Sequence, residues 1–242
     1  MEPLHSLVLW NGCFAITAII ASLVPRLEIR WSWLFGAFFF FNANVALVLD
    51  FFDFNQHLYQ WVGDPDLSFN WAGKVIAFFF SVSFLVLGLF RRQEVGLTLR
   101  QSKGSIIGWS VLVAICALGV VVGLILPNEP FSSEAILYQL TMPSFDEELA
   151  YRGIMMAFLI KAFDFRFANG RFGAVPAVIV STIIFSIIHA LFWTGDGLFF
   201  SLEAFIFAGI FGLLLAWLRL NTGSLLAPIF LHSAVNTIWR LF

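Results

Sequence analysis

Charge is scarce in this sequence. Only 12% of its 242 residues are Asp, Glu, Lys or Arg, about half the share a soluble domain carries. A soluble fold has no means of covering so much apolar surface, so lipid is the expected solvent. Cysteine is nearly absent too. Cys13 and Cys116 both sit inside apolar runs, which reads as small packing residues rather than a disulfide, a metal pair or a nucleophile. No basic residue precedes the first apolar run, so a retained first span is expected rather than a cleaved leader. The net charge of −2 excludes an electrostatic case for a nucleic-acid partner.

What the chain has instead is hydrophobic length. Sixty per cent of it is hydrophobic, mean hydropathy is +0.92, and 31 Phe and 9 Trp are present. Apolar runs occur at Leu7–Val24, Trp33–Leu49, Trp71–Phe90, Ile106–Leu126, Ile136–Ile160, Ala174–Trp193, Leu198–Leu218 and Leu225–Phe242. A helical span needs about 20 residues. The expectation is an all-α, polytopic membrane protein with about eight transmembrane helices, forming a single membrane domain over 1–242. Trp10, Trp31, Trp33, Trp61, Trp71, Trp193 and Trp239 fall near the ends of these runs, where indole rings favour the headgroup boundary.

Loop charges alternate. The odd-numbered loops hold Arg26, Arg30, Arg91, Arg92, Arg100, Lys103, Lys161, Arg166, Arg171 and Arg219, while the even ones hold Asp53, Asp64, Asp66, Glu129, Glu134 and Asp196. Basic loops stay cytoplasmic. A multi-pass protein of a prokaryotic-type inner or plasma membrane is expected, with both termini non-cytoplasmic.

Ionisable residues inside spans are costly and mark functional positions. They concentrate in Asp146-Glu147-Glu148-Leu149-Ala150-Tyr151-Arg152 of the fifth run, with His189 in the sixth and His232 and Asn236 in the eighth. Glu148 and Arg152, four apart, share a helix face in the favourable order. Glu147 is turned about 100° away, so no cation of its own helix reaches it. An unpaired carboxylate there suits a general base acting on water. Ser144 reads as an N-cap with Glu147 at N3. His232 and Asn236 project from one face, as two donors for a developing oxyanion would. His5 and His57 read as bland, Asn42 and Asn44 as helix–helix hydrogen bonds, and Asp50 and Asp53 as residues closing the second run.

Glu147-Glu148-Leu149-Ala150-Tyr151-Arg152-Gly153 resembles the EExxxR motif of the CPBP family (CAAX proteases and bacteriocin-processing enzymes, the Abi family). Phe185-Ser186-Ile187-Ile188-His189 is similar to its FxxxH motif, and His232-Ser233-Ala234-Val235-Asn236 to its HxxxN motif. The resemblance covers 131–242 as a catalytic core and leaves 1–130, the first four runs, without a role. It implies a glutamic-type intramembrane endopeptidase cutting near the C-terminal or membrane-anchoring segment of a protein substrate. By it, Glu147 and His189 activate water, His232 and Asn236 stabilise the oxyanion, and Glu148 and Arg152 support the site. No cofactor is favoured. The alternatives are a zinc protease with Glu147, His189 and His232 as ligands, or a non-catalytic immunity or assembly factor. The expected partners are membrane lipid and a protein or peptide substrate with a membrane-associated segment.

Overall fold

A computed structural model describes residues 1–24, 27–51, 53–62, 68–126, 132–165 and 173–238. Each apolar run contains a helix. In chain order these are α1 (Pro3–Ser22), α2 (Trp31–Val48), a short amphipathic α3 (Phe54–Val62), α4 (Trp71–Val86), α5 (Ile106–Ile125), α6 (Ser133–Glu147), α7 (Met156–Ala162), α8 (Val175–Ala190), α9 (Leu202–Thr222) and α10 (Leu226–Thr237). The all-α membrane class stands. By length and composition α1, α2, α5 and α9 suffice to cross a bilayer, whereas α4 and α8 are apolar but shorter. Those four are fewer than the eight crossings expected from the apolar runs.

The outer surface is that of an integral membrane protein. Val8, Ile16 and Ile19 on α1, Val113 and Leu118 on α5, and Ile206, Phe207 and Ile210 on α9 all point outwards and exposed. Soluble monomers rarely show contiguous apolar patches of that extent. Trp10 departs from the headgroup expectation: it is 3% exposed and donates its indole N–H to the carbonyl of Leu191, 2.6 Å away. The apolar core between α2, α4 and α7 is largely aromatic, with Phe158 packed edge-on against Phe84 and Phe90.

Two short two-stranded sheets interrupt the helices, one long-range and one a hairpin, and local patterning does not reveal them. β1 (Leu27–Ile29) pairs antiparallel with β2 (Phe163–Phe165), and β3 (Leu191–Thr194) with β4 (Gly197–Phe200). They satisfy backbone groups where helices end at the edge of the apolar layer, as low dielectric demands.

The fifth run is not a plain α-helix. Between α6 and α7 the chain passes without a break through a π-helical segment, Glu148–Met155, all eight of whose residues are buried. Pro143, one turn earlier inside α6, cannot donate to the carbonyl four residues back. Wider turns of this type recur at functional sites. Ser144 is not an N-cap, because α6 starts two turns or more before it. Ser132 fills that role, its hydroxyl accepting from the Ala135 N–H at 3.1 Å.

Loop contacts divide the molecule into two ends. At one, β1 meets β2, Lys161 pairs with Glu94 at 2.8 Å, and the Arg219 guanidinium donates to the Glu94 carbonyl at 2.9 Å. At the other, the Glu2 N–H donates to Trp193 at 2.6 Å, and the Glu134 carboxylate accepts from the Ser68 N–H and the Trp71 indole. The odd-numbered loops thus gather at one end and the N-terminus with the even loops at the other. Arg26, Asp64, Asp66, Glu129, Arg166, Arg171 and Trp239, and the side chain of Trp61, lie outside the described residues.

Candidate active site

The site forms where α6 gives way to the π-helical segment. Glu147 is the last α-helical residue and Glu148 the first of the wider turn. Their side chains take different partners, as the helical geometry requires. Arg152 reaches Glu148 Oε1 at 3.1 Å, and the same oxygen lies 2.8 Å from Nδ1 of His232 on α10. Arg152 and Glu148 are both almost wholly buried, and the Arg152 guanidinium stacks over the Phe185 ring at 4.0 Å. Glycine at 212 allows this. A Cβ on α9 there would meet the Arg152 guanidinium at 3.2 Å.

Glu147 faces the histidines. Its Oε2 lies 3.8 Å from Nε2 of His189 and 4.0 Å from Nε2 of His232. Three helices, α6, α8 and α10, therefore converge on one carboxylate oxygen. Nδ1 of His189 sits 2.7 Å from the Phe185 carbonyl, one turn back on α8. A carbonyl oxygen only accepts, so that nitrogen carries a proton.

The expectation of an unpaired Glu147 fails. Lys74 of α4 places its Nζ 2.8 Å from Glu147 Oε1 and 3.1 Å from Asp146 Oδ2. The cation comes from another helix, which intrahelical spacing does not reveal. Lys74 is also the residue of this cluster that the motifs missed. It is a lysine inside an apolar run, outside the basic loops, and the cost of burying it was the available signal.

Lys74, Asp146, Glu147, Tyr151 and His189 line a cavity of about 180 Å³, closed further by Trp10, Asn44 and Met1. Val48, Leu49 and Phe192 are also in its wall, so it lies toward the end of the molecule that holds the N-terminus. Asn236 stands apart from this group. It lines a larger, mainly apolar cavity of about 540 Å³ between α5, α6, α9 and α10, together with Gln139, Cys116 and Phe207. Among the described residues no set of three His, Cys, Asp or Glu has the spacing to hold a metal ion.

The remaining polar residues behave as structural elements. The Asn11 amide donates to Asn42 Oδ1 at 2.7 Å, joining α1 to α2. Asp50, in the left-handed region at φ 55°, caps α3 by accepting from the N–H groups of Phe54 and Asn55. His5 pairs with Glu2 and stacks on Trp193. Neither cysteine is bonded in a disulfide.

Residues 131–238 match the family model described as type II CAAX prenyl endopeptidase, Rce1-like. This segment is Rce1-like. The match agrees with the CPBP resemblance and contains Glu147, His189, His232 and Asn236. Lys74 precedes the Rce1-like segment. No curated protein and no solved structure matches the chain.

Proposed function

We propose that the chain is an intramembrane endopeptidase of the glutamic type. The observation that carries this reading is the convergence of His189 and His232 on Oε2 of Glu147, inside a segment described as CAAX prenyl endopeptidase-like. Water held between Glu147 and His189 gives one proton to the Glu147 carboxylate and its second hydrogen bond to the Nε2 lone pair. The hydroxide so formed attacks the peptide carbonyl carbon. As the C–N bond breaks, Glu147 returns its proton to the leaving amine.

The tetrahedral oxyanion needs donors. His232 supplies one when Nε2 carries a proton, and the buried Glu148 carboxylate 2.8 Å from Nδ1 orients the ring. Asn236, one turn beyond His232, is the second donor, provided that the scissile carbonyl approaches from the larger apolar cavity it lines. That cavity suits a substrate segment delivered from the membrane.

A zinc-dependent mechanism with Glu147, His189 and His232 as ligands is the second reading: the same three side chains converge, but not at the spacing that holds a metal ion. Zinc donors lie within about 2.0–2.2 Å of the metal. A lysine ammonium 2.8 Å from the would-be ligand carboxylate opposes a dication there. Metal-free water activation therefore fits these residues better.

The whole of 1–242 is best read as one membrane domain, because α1, α2 and α4 wall the cavity at Glu147. With the basic loops cytoplasmic, both termini and that cavity face the opposite side. This favours an exported or membrane-anchored substrate. Co-expression of tagged membrane-anchored candidates with wild type and with Glu147→Gln tests the reading. Cleavage by wild type alone supports a protease. Processing that is equal in both excludes Glu147 as the base, and binding without cleavage points to an immunity or assembly factor.

A further inference from the structure

We infer that Lys74 is a positioning residue for Glu147, through which the N-terminal helices complete the site. The inference rests on the hydrolytic reading for its consequence and on geometry for its substance. A glutamate carboxylate swings freely about its terminal torsion, and only one of its oxygens can face the histidines. The Lys74 ammonium holds Oε1 at 2.8 Å, which leaves Oε2 turned toward His189 and His232. The other carboxylate of the pair, Asp146, holds the ammonium from a second side at 3.1 Å.

Lys74 is itself placed with unusual care. Its helix starts on the Asn70 side chain, which accepts from the Gly73 N–H at 3.0 Å and donates to the carbonyl of Val48 at the end of α2. Asn55 reaches in from α3, donating to Asn70 Oδ1 at 2.6 Å and accepting from the Ala72 N–H at 2.9 Å. Gly73 permits the approach, since a Cβ there would lie 2.8 Å from the Leu47 carbonyl oxygen. Four hydrogen bonds on residues 70–73 fix the root of a side chain whose tip meets two carboxylates.

Charge gives the arrangement its purpose. Asp146, Glu147 and Glu148 are consecutive; Asp146 and Glu148 are buried, Glu147 is 13% exposed, and Arg152 serves Glu148. Without Lys74, two adjacent carboxylates share a low-dielectric site with no fixed cation, a state that neutralises by taking up protons. A protonated Glu147 accepts no proton from water.

The test compares wild type, Lys74→Met and Lys74→Arg as purified full-length protein, with Glu147→Gln as the blank. Dicyclohexylcarbodiimide reacts with protonated carboxyl groups in apolar surroundings, so its labelling of the Glu147 peptide across pH is read by mass spectrometry. This readout needs no substrate. Labelling in Lys74→Met is expected to rise about tenfold at neutral pH and to extend to higher pH, as loss of a neighbouring cation implies; Lys74→Arg follows wild type. On an internally quenched prenylated CAAX peptide, or a membrane-anchored substrate found by co-expression, kcat of Lys74→Met falls about a hundredfold or more with KM little changed. Identical labelling in all three proteins overturns the inference, as does an unchanged kcat in Lys74→Met. A labelling shift in Lys74→Met when wild type cleaves neither substrate counts against the hydrolase reading instead, and leaves the pairing standing.

Discussion

Nδ1 of His232 lies 2.8 Å from Oε1 of Glu148, a carboxylate with no exposed surface that Arg152 holds at 3.1 Å. The two glutamates of the pair therefore divide the work by geometry. Glu147 faces Nε2 of both histidines, and Glu148 fixes the far side of one of them. A partner at Nδ1 decides which nitrogen of an imidazole carries its proton.

Glu148→Gln tests this division. Glutamine offers either an oxygen or an amide nitrogen to Nδ1 and balances no charge, so His232 loses its fixed donor state. The expected outcome is a fall in kcat of about a hundredfold or more with the fold retained, comparable in kind to losing the carboxylate that orients a catalytic histidine. Steady-state kinetics together with thermal unfolding in detergent separate the two effects.

Arg152→Leu should act on stability first. It strands the Glu148 carboxylate in the interior, and breaking a buried pair in this way costs about 3–5 kcal/mol. The double variant Glu148→Leu with Arg152→Leu removes the stranded charge and should regain most of that loss. Denaturant unfolding of the single and double variants reads the difference.

Gly96→Ala should destabilise the end of the molecule opposite the Glu147 cavity. Gly96 has φ 75°, a left-handed conformation that favours glycine, and an added Cβ would collide with the buried Arg219 guanidinium. A loss of about 1–3 kcal/mol is expected, seen as a lowered unfolding temperature, with little change in turnover because the cavity at Glu147 is remote.

Glu94 gives a pH dependence outside the bilayer. The Lys161 ammonium and the Arg91 N–H hold its carboxyl below the ordinary range. A lowered folded-state value adds stability that is present above the unfolded value and disappears as pH falls through the folded one. For a partly exposed pair the effect is about 0.5 kcal/mol. Glu94→Gln should remove that increment at neutral pH and lose nothing further on acidification, as unfolding measured across acidic pH would show.

The helical membrane body was legible in the sequence because apolar length is a composition signal that needs no tertiary information. Glu147, Glu148, Arg152, His189 and His232 were legible because ionisable groups stand out in apolar runs, and helical spacing correctly paired Glu148 with Arg152. Spacing along one helix says nothing about neighbours, however. Lys74 reaches Glu147 from α4, so the carboxylate that looked unpaired is not. Ser144 matched a cap pattern by residue type alone, while its hydroxyl in fact lies 2.7 Å from that of Ser233 on α10. Trp10 stands near the start of an apolar run that begins at Leu7, the place of a headgroup anchor, whereas α1 begins at Pro3 and carries the indole into the core. The π-helical segment has no counterpart in a regular 3.6-residue pattern.

The central claim is that Glu147 makes a peptide bond yield to water without a metal. The measurement that tests it most directly is cleavage of a confirmed substrate by purified protein in H₂¹⁸O after exhaustive chelation, with wild type beside Glu147→Gln. The account predicts undiminished wild-type turnover, one ¹⁸O atom in the new C-terminus, and a rate at least a thousandfold lower in a folded Glu147→Gln. Activity that vanishes on chelation and returns with zinc, or cleavage that survives Glu147→Gln, would contradict it.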